Sequence, residues 1–150
     1  MKVKHVALVL MLVGTTCAFG QSNQFIDILL ETDSLSAGQA AYLVLVASER
    51  LDEKTDEAGA FKALIDLGWV SEQTQMDTPM RTKDYCYLLM KAFDLKGGLL
   101  YSLFPGPRYA YRQMVSSQVI QGRSDPAMVV TGSRAMRMLG RVFDIQEISS

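Results

Sequence analysis

The chain has 150 residues, 49% of them hydrophobic and 21% charged, with a formal net charge of −1. Its only histidine is His5, its two cysteines are Cys17 and Cys86, and it contains no C-x-x-C, P-loop or G-x-G-x-x-G pattern. Beyond Gly20 there is no imidazole and a single thiol, which rules out Ser–His and Cys–His nucleophilic pairs, His-ligated metals and an internal disulfide in that part of the chain. No catalytic residue, metal site or cofactor is expected, and the protein reads as non-enzymatic. A hydrolase using carboxylates alone stays open, and it would need two acids facing each other about 5–10 Å apart.

The first twenty residues have the three parts of a secretory signal peptide: Lys2 and Lys4, an apolar run from Val6 to Val13, and the small-residue end Ala18-Phe19-Gly20. The run is well short of the about 20 residues that cross a bilayer. Cleavage is expected after Gly20, leaving residues 21–150 as one domain in the periplasm or cell envelope, with no transmembrane span. Lipidation at Cys17 is the alternative, but Gly14-Thr15-Thr16 fits the residues before a lipidated cysteine less well than Ala18 and Gly20 fit ordinary cleavage.

Gln21–Gln24 is polar, Phe25–Leu30 is a short apolar piece of undetermined type, and Asp33-Ser34 reads as a turn. Ser36-x-x-Gln39 fits a capping box, and Ala40, Leu43, Val44, Ala47 and Leu51 then recur on one helical face. The polar run 52–57 ends that helix and opens the next, predicted from about Asp56 to Leu67 with Ala60, Phe61, Leu64 and Ile65 inward and Gly68 as its stop. After a polar loop, Thr82 is read as the cap of a helix to about Phe93, with Tyr85, Leu88, Leu89 and Ala92 as its stripe. Cys86 beside that stripe reads as a small buried hydrophobe. Leu99–Phe104 is predicted as a short helix, Pro105-Gly106-Pro107 as a rigid turn, and Arg108–Ser117 as a longer helix. A loop from Gln121 to Ala127 precedes a last helix, predicted from Thr131 or Ser133 to Asp144, with Ile145–Ser150 as a tail. The expected class is all-α.

A shift of 50 residues lays Ala60-Phe61-Lys62 over Ala110-Tyr111-Arg112, Leu64-Ile65 over Met114-Val115, Trp69-Val70 over Val119-Ile120, and Lys91–Leu95 over Arg141–Ile145. Identities are few, but basic lies on basic and large apolar on large apolar. Two helical units, 56–95 and 106–145, are expected, with 33–52 as a partial first unit whose own first helix is missing or reshaped. Single hairpins cannot bury both faces, so the units should stack around one core.

These units resemble the S-layer homology family. The resemblance covers roughly residues 33–145 and is clearest over Val119-Ile120-Gln121-Gly122-Arg123-Ser124-Asp125 and Val130-Thr131. Gly68-Trp69-Val70 and Pro79-Met80-Arg81-Thr82-Lys83-Asp84 form a weaker counterpart. It implies helical-hairpin repeats packed as a pseudo-threefold bundle whose grooves bind an anionic cell-wall polymer. The family's Thr-Arg-Ala-Glu motif is replaced here by Arg81-Thr82-Lys83-Asp84 and by Thr131-Gly132-Ser133-Arg134, so neither unit keeps the arginine at its motif position.

Charge is uneven. Residues 21–77 hold 11 acids and 3 bases, whereas residues 78–150 hold 5 acids and 10 bases. The basic half can face an anionic partner or attract the acidic half within one fold; export argues against nucleic acid. The candidate ligand-binding residues are Arg81, Arg108, Tyr109, Arg112, Arg123 and Arg134. Interleaved Arg and Tyr at 108–112 can grip an anionic sugar, or Tyr111 faces the core and the arginines are solvated. Arg123 lies in the inter-helix loop, free for a ligand or paired with Asp125. Arg134, Arg137 and Arg141 share a helical stripe that by default is a solvated face. Trp69 reads as core, because Val119 replaces it in the other unit. The expected role is an exported binding or anchoring module for a wall polymer or an envelope protein, open to oligomerisation; the alternative is a structural subunit of a periplasmic assembly.

Overall fold

The computed structural model describes residues 17–149, with side chains described for residues 24–148. Within them the protein is mostly helical: α1 (Cys17–Glu31), α2 (Ala37–Ala47), α3 (Glu57–Asp66), α4 (Thr82–Ala92), α5 (Leu99–Leu103), α6 (Pro107–Ser116) and α7 (Gly132–Ser149). The described residues contain no strand, only the isolated bridges Ser36–Pro79 and Arg81–Val129. The leader's lysines and apolar run lie outside the described residues, and the expected cut after Gly20 falls within α1.

Local chemistry accounts for most helix ends. The Ser36 hydroxyl accepts from Gln39 N–H and the Gln39 side chain accepts from Ser36 N–H, both at 3.1 Å, so the capping box forms as expected. Asp56 caps α3 through Gly59 N–H at 2.7 Å, and Pro107 opens α6, where its missing N–H has no intrahelical partner to lose. Gly68 ends the α3 region with φ +68°, a left-handed turn that glycine makes without a Cβ clash.

Three expectations need correction. Thr82 is the first residue of α4, not its cap; Arg81 takes the cap position, and the Thr82 hydroxyl donates to the Met128 carbonyl at 2.9 Å. The predicted tail continues α7 to Ser149, because Phe143 packs edge-on to Phe93 (centroids 5.4 Å apart) and Gln146 Nε2 donates to the Phe93 carbonyl. Phe25–Leu30 belongs to α1, with Leu29 fully buried and Phe25 edge-on to Tyr42 at 4.5 Å. The first segment therefore has a leading helix after all, and it docks on α7.

α2, α4 and α7 carry the centre. Leu43, Val44, Leu88, Leu89, Met138 and Val142 are all buried, and each large side chain so buried stabilises the fold by about 1.5–3 kcal/mol before entropy is counted. α3 lies against α2, α6 against α4 and α1 against α7. Helix starts at Glu57 and Pro107, and at Thr82 and Gly132, follow the shift of 50 residues. Phe61 and Tyr111 both pack on the same core, and the Tyr111 hydroxyl donates to the Ser124 carbonyl at 2.9 Å.

The segments entering the central helices are tied by backbone hydrogen bonds in a closed ring. Leu35 N–H donates to Val130 O (2.8 Å), Met80 N–H to Leu35 O (2.8 Å) and Val130 N–H to Met80 O (2.9 Å). A second set joins the first residues of the three helices to neighbouring segments: Ala37 N–H to Thr78 O, Thr82 N–H to Met128 O and Gly132 N–H to Thr32 O, at 2.8–2.9 Å. All three ring side chains are buried, so these bonds satisfy backbone groups that water does not reach.

Candidate functional site

Two concavities lie at the starts of α4 and α7. The larger is a cleft of about 600 Å³ within the size range of small-molecule sites. Trp69, Pro79, Arg81, Asp84, Tyr87 and the Pro105-Gly106-Pro107 turn lie along it. The turn's rigidity and the α4 backbone fix two of its walls. Trp69 packs against the core as expected, but it also stays partly exposed to this cleft. The Arg50 guanidinium sits 5.4 Å from its ring centroid, held by Asp94 (2.8 Å) and by the Ala92 carbonyl (2.9 Å). Burial raises the Asp84 carboxyl above the usual range, partly offset by the neighbouring Lys83 and Arg81 charges.

The smaller concavity is a pocket of about 140 Å³ lined by Val119, Ile120, Gln121, Met138 and four arginines: Arg123, Arg134, Arg137 and Arg141. It contains no acid. Arg141 is anchored by a 2.8 Å bond from Nη1 to the Val119 carbonyl. The ion pairs among the described residues are Arg50–Asp94 and Lys62–Asp66, so none of the four arginines is neutralised by a carboxylate. The pairing of Arg123 with Asp125 does not form, because Asp125 Oδ1 accepts from Ala127 N–H at 2.8 Å instead.

The six candidates from sequence therefore separate. Arg81 lines the cleft, and Arg123 and Arg134 meet in the pocket. Arg108 and Arg112 are exposed along one side of α6, because Ala110 and Met114 take the buried side; Tyr109 lies against Phe104, ring centroids 6.2 Å apart. These three line neither concavity. The sequence does not single out Asp84 and Tyr87 in the cleft; Trp69 reads from it as core, and Arg137 and Arg141 as a solvated stripe, although all three line a concavity. The arginine stripe at i, i+3 and i+7 was the available signal.

Other reactive groups are inert. Burial pushes the Cys86 thiol and the Tyr85 hydroxyl far above their usual ranges, and Tyr85 donates to the Ala135 carbonyl at 3.2 Å. Among the described residues no group of three or more His, Cys, Asp or Glu side chains is placed to hold a metal ion, and no helix is long and apolar enough to cross a membrane. No family model, curated protein or solved structure matches the chain.

Proposed function

We propose that the chain is an exported, non-catalytic module of the bacterial cell envelope that holds an anionic wall polymer in the cleft beside Trp69. The observation that carries this reading is the cleft's lining: two aromatic rings, Trp69 and Tyr87, with Arg81 and Asp84 on one wall. Aromatic faces stack on sugar rings, an arginine fork matches a carboxylate or phosphate substituent, and a carboxylate accepts from hydroxyls. The signal-peptide pattern supports the location.

The architecture we infer is three helical units about a pseudo-threefold axis, α1–α2, α3–α4 and α6–α7, as in the S-layer homology arrangement. The closed ring through Leu35, Met80 and Val130 supports it, as does the cyclic docking of α3 on α2, α6 on α4 and α1 on α7. The ligand contacts must differ from that family's. The motif arginine would fall at Gly132, where a Cβ alone would clash with the Leu29 carbonyl oxygen. Arg81, one position away in its unit, is the exposed cation nearest that role.

Sedimentation with purified cell wall tests the reading. The wild-type chain should co-sediment, and Arg81→Ala should weaken binding about tenfold, the equivalent of one charge-assisted contact. Arg108→Ala and Arg112→Ala serve as exposed charge controls. Binding that ignores Arg81 would refute the cleft as the site.

A second reading, a structural subunit of a periplasmic assembly, is favoured by one feature. Leu99, Leu103 and Phe104 on and after α5 are 76%, 60% and 61% exposed, an apolar patch of the kind that mediates protein contacts. Crosslinking in cells with a probe at Leu103 would separate the two readings.

A further inference from the structure

We propose that the four-arginine pocket at the start of α7 is a second binding site, which takes one phosphate monoester group. The argument begins with cost. Four like charges share a small pocket with no carboxylate, so each raises the free energy of the others. Arg134 adds to this, because it stands in the first turn of α7, at the positive end of the helix dipole, where cations are disfavoured. Its backbone N–H is already taken by the Thr131 hydroxyl at 3.2 Å, so the helix end itself is capped and its side chain has no capping duty. Fifty residues earlier, the corresponding positions carry Asp84 and Tyr87 where this pocket has Arg134 and Arg137, so nothing in the backbone demands arginine there. An anion is the group that turns this arrangement from unfavourable to favourable.

Charge, geometry and size choose the anion. One carboxylate supplies a single negative charge and two oxygens, which one guanidinium fork already satisfies. A phosphate monoester carries about −1.5 to −2 at pH 7 and three terminal oxygens, enough for several forks at once. All four cations are arginine and none is lysine, the choice that suits fixed bidentate contacts over a mobile point charge. At about 140 Å³ the pocket is smaller than sites that enclose a whole small molecule, so it admits a head group while the remainder stays in solvent. Arg141 is pre-positioned by Val119, which lowers the ordering cost of binding.

This site does not depend on the reading of the cleft, and its test uses different signals. Inorganic phosphate, glucose 1-phosphate, acetate at matched ionic strength and vesicles containing phosphatidic acid would each be titrated into the full chain. Backbone amide shifts around Arg123 and Arg134 would be followed by NMR. Saturable binding of phosphate and glucose 1-phosphate with Kd of about 1 mM or tighter is expected, and acetate should be at least tenfold weaker. The Arg123→Ala/Arg137→Ala double variant removes two exposed side chains and should weaken phosphate by more than tenfold. Lys54→Ala, an exposed cation elsewhere, should leave it unchanged. Vesicle binding in addition to soluble phosphate would identify a lipid as one source of the group. Binding to vesicles alone, equal affinity for acetate, or no saturable shift would overturn the proposal.

Discussion

The cleft beside Trp69 and the pocket of arginines occupy corresponding places. Trp69, Val70, Ser71, Asp84, Tyr87 and Leu88 line the first; Val119, Ile120, Gln121, Arg134, Arg137 and Met138, each 50 residues later, line the second. Local backbone is closely matched, including the left-handed residues Gly68 (φ +68°) and Gln118 (φ +63°). The cleft has the Pro105-Gly106-Pro107 turn as an extra wall and the pocket's loop turns at Gly122 (φ +74°), but the side chains at the shared positions change the charge from mixed, beside aromatic rings, to cationic. The lesson is that helix packing positions a concavity while a few substitutions decide what enters it. Leu88 and Met138, both fully buried beneath, belong to the packing, whereas Asp84 and Arg134 one turn above line the two concavities.

The largest expected break in that correspondence is at Gly132. Its counterpart Thr82 is a buried threonine bonded to Met128, but a Cβ at 132 would clash with the Leu29 carbonyl oxygen. Gly132→Ala must push α1 off α7 and should cost more than about 3 kcal/mol, whereas Thr82→Ala should cost about 1 kcal/mol through its lost hydrogen bond. Urea unfolding of both variants would measure the difference, and equal costs would show that α1 is not held where the closed arrangement needs it.

The smallest effect concerns pH. Asp84 has a raised carboxyl pKa in the folded chain, so between the unfolded and folded values the native state holds the extra proton. Stability from this group is therefore present at low pH and declines as pH rises through the folded pKa. The side chain is only partly buried, so the effect should stay below ~1 kcal/mol. Asp84→Asn should flatten that part of the stability–pH curve, and an unchanged curve would place the carboxyl in full solvent. No carboxylate lines the arginine pocket, so the same scan on the double arginine variant should show no matching change.

Much of the fold could be read from residue patterns. The Ser36–Gln39 box, the Gly68 stop and the apolar stripes of α3 and α4 depend on neighbours in sequence, and they fell where expected, whereas α2 stops at Ala47, short of the expected Leu51, and buries Ala41 and Leu45 outside the expected face. α1 and the end of α7 also departed from expectation, because each is specified by contacts far along the chain: Phe25 on Tyr42, and Phe143 on Phe93. The sites followed the same division. Arg81, Arg123 and Arg134 were visible as loop and helix-start cations. Arg137 and Arg141 looked like an ordinary solvated stripe, because only the return of the loop 119–123 over α7 encloses them. Trp69 packs on the core as its replacement by Val119 suggests, but Val119 is fully buried whereas the larger indole stands partly open to the cleft, which that substitution does not reveal.

Trp69 is the only tryptophan in the chain, so emission excited beyond the tyrosine absorption band reports on the cleft. Titration of the intact protein with purified anionic wall polymer should quench or shift that emission saturably, and Arg81→Ala should move the midpoint about tenfold higher. Emission that does not respond while the polymer still binds would place the polymer elsewhere and contradict the account.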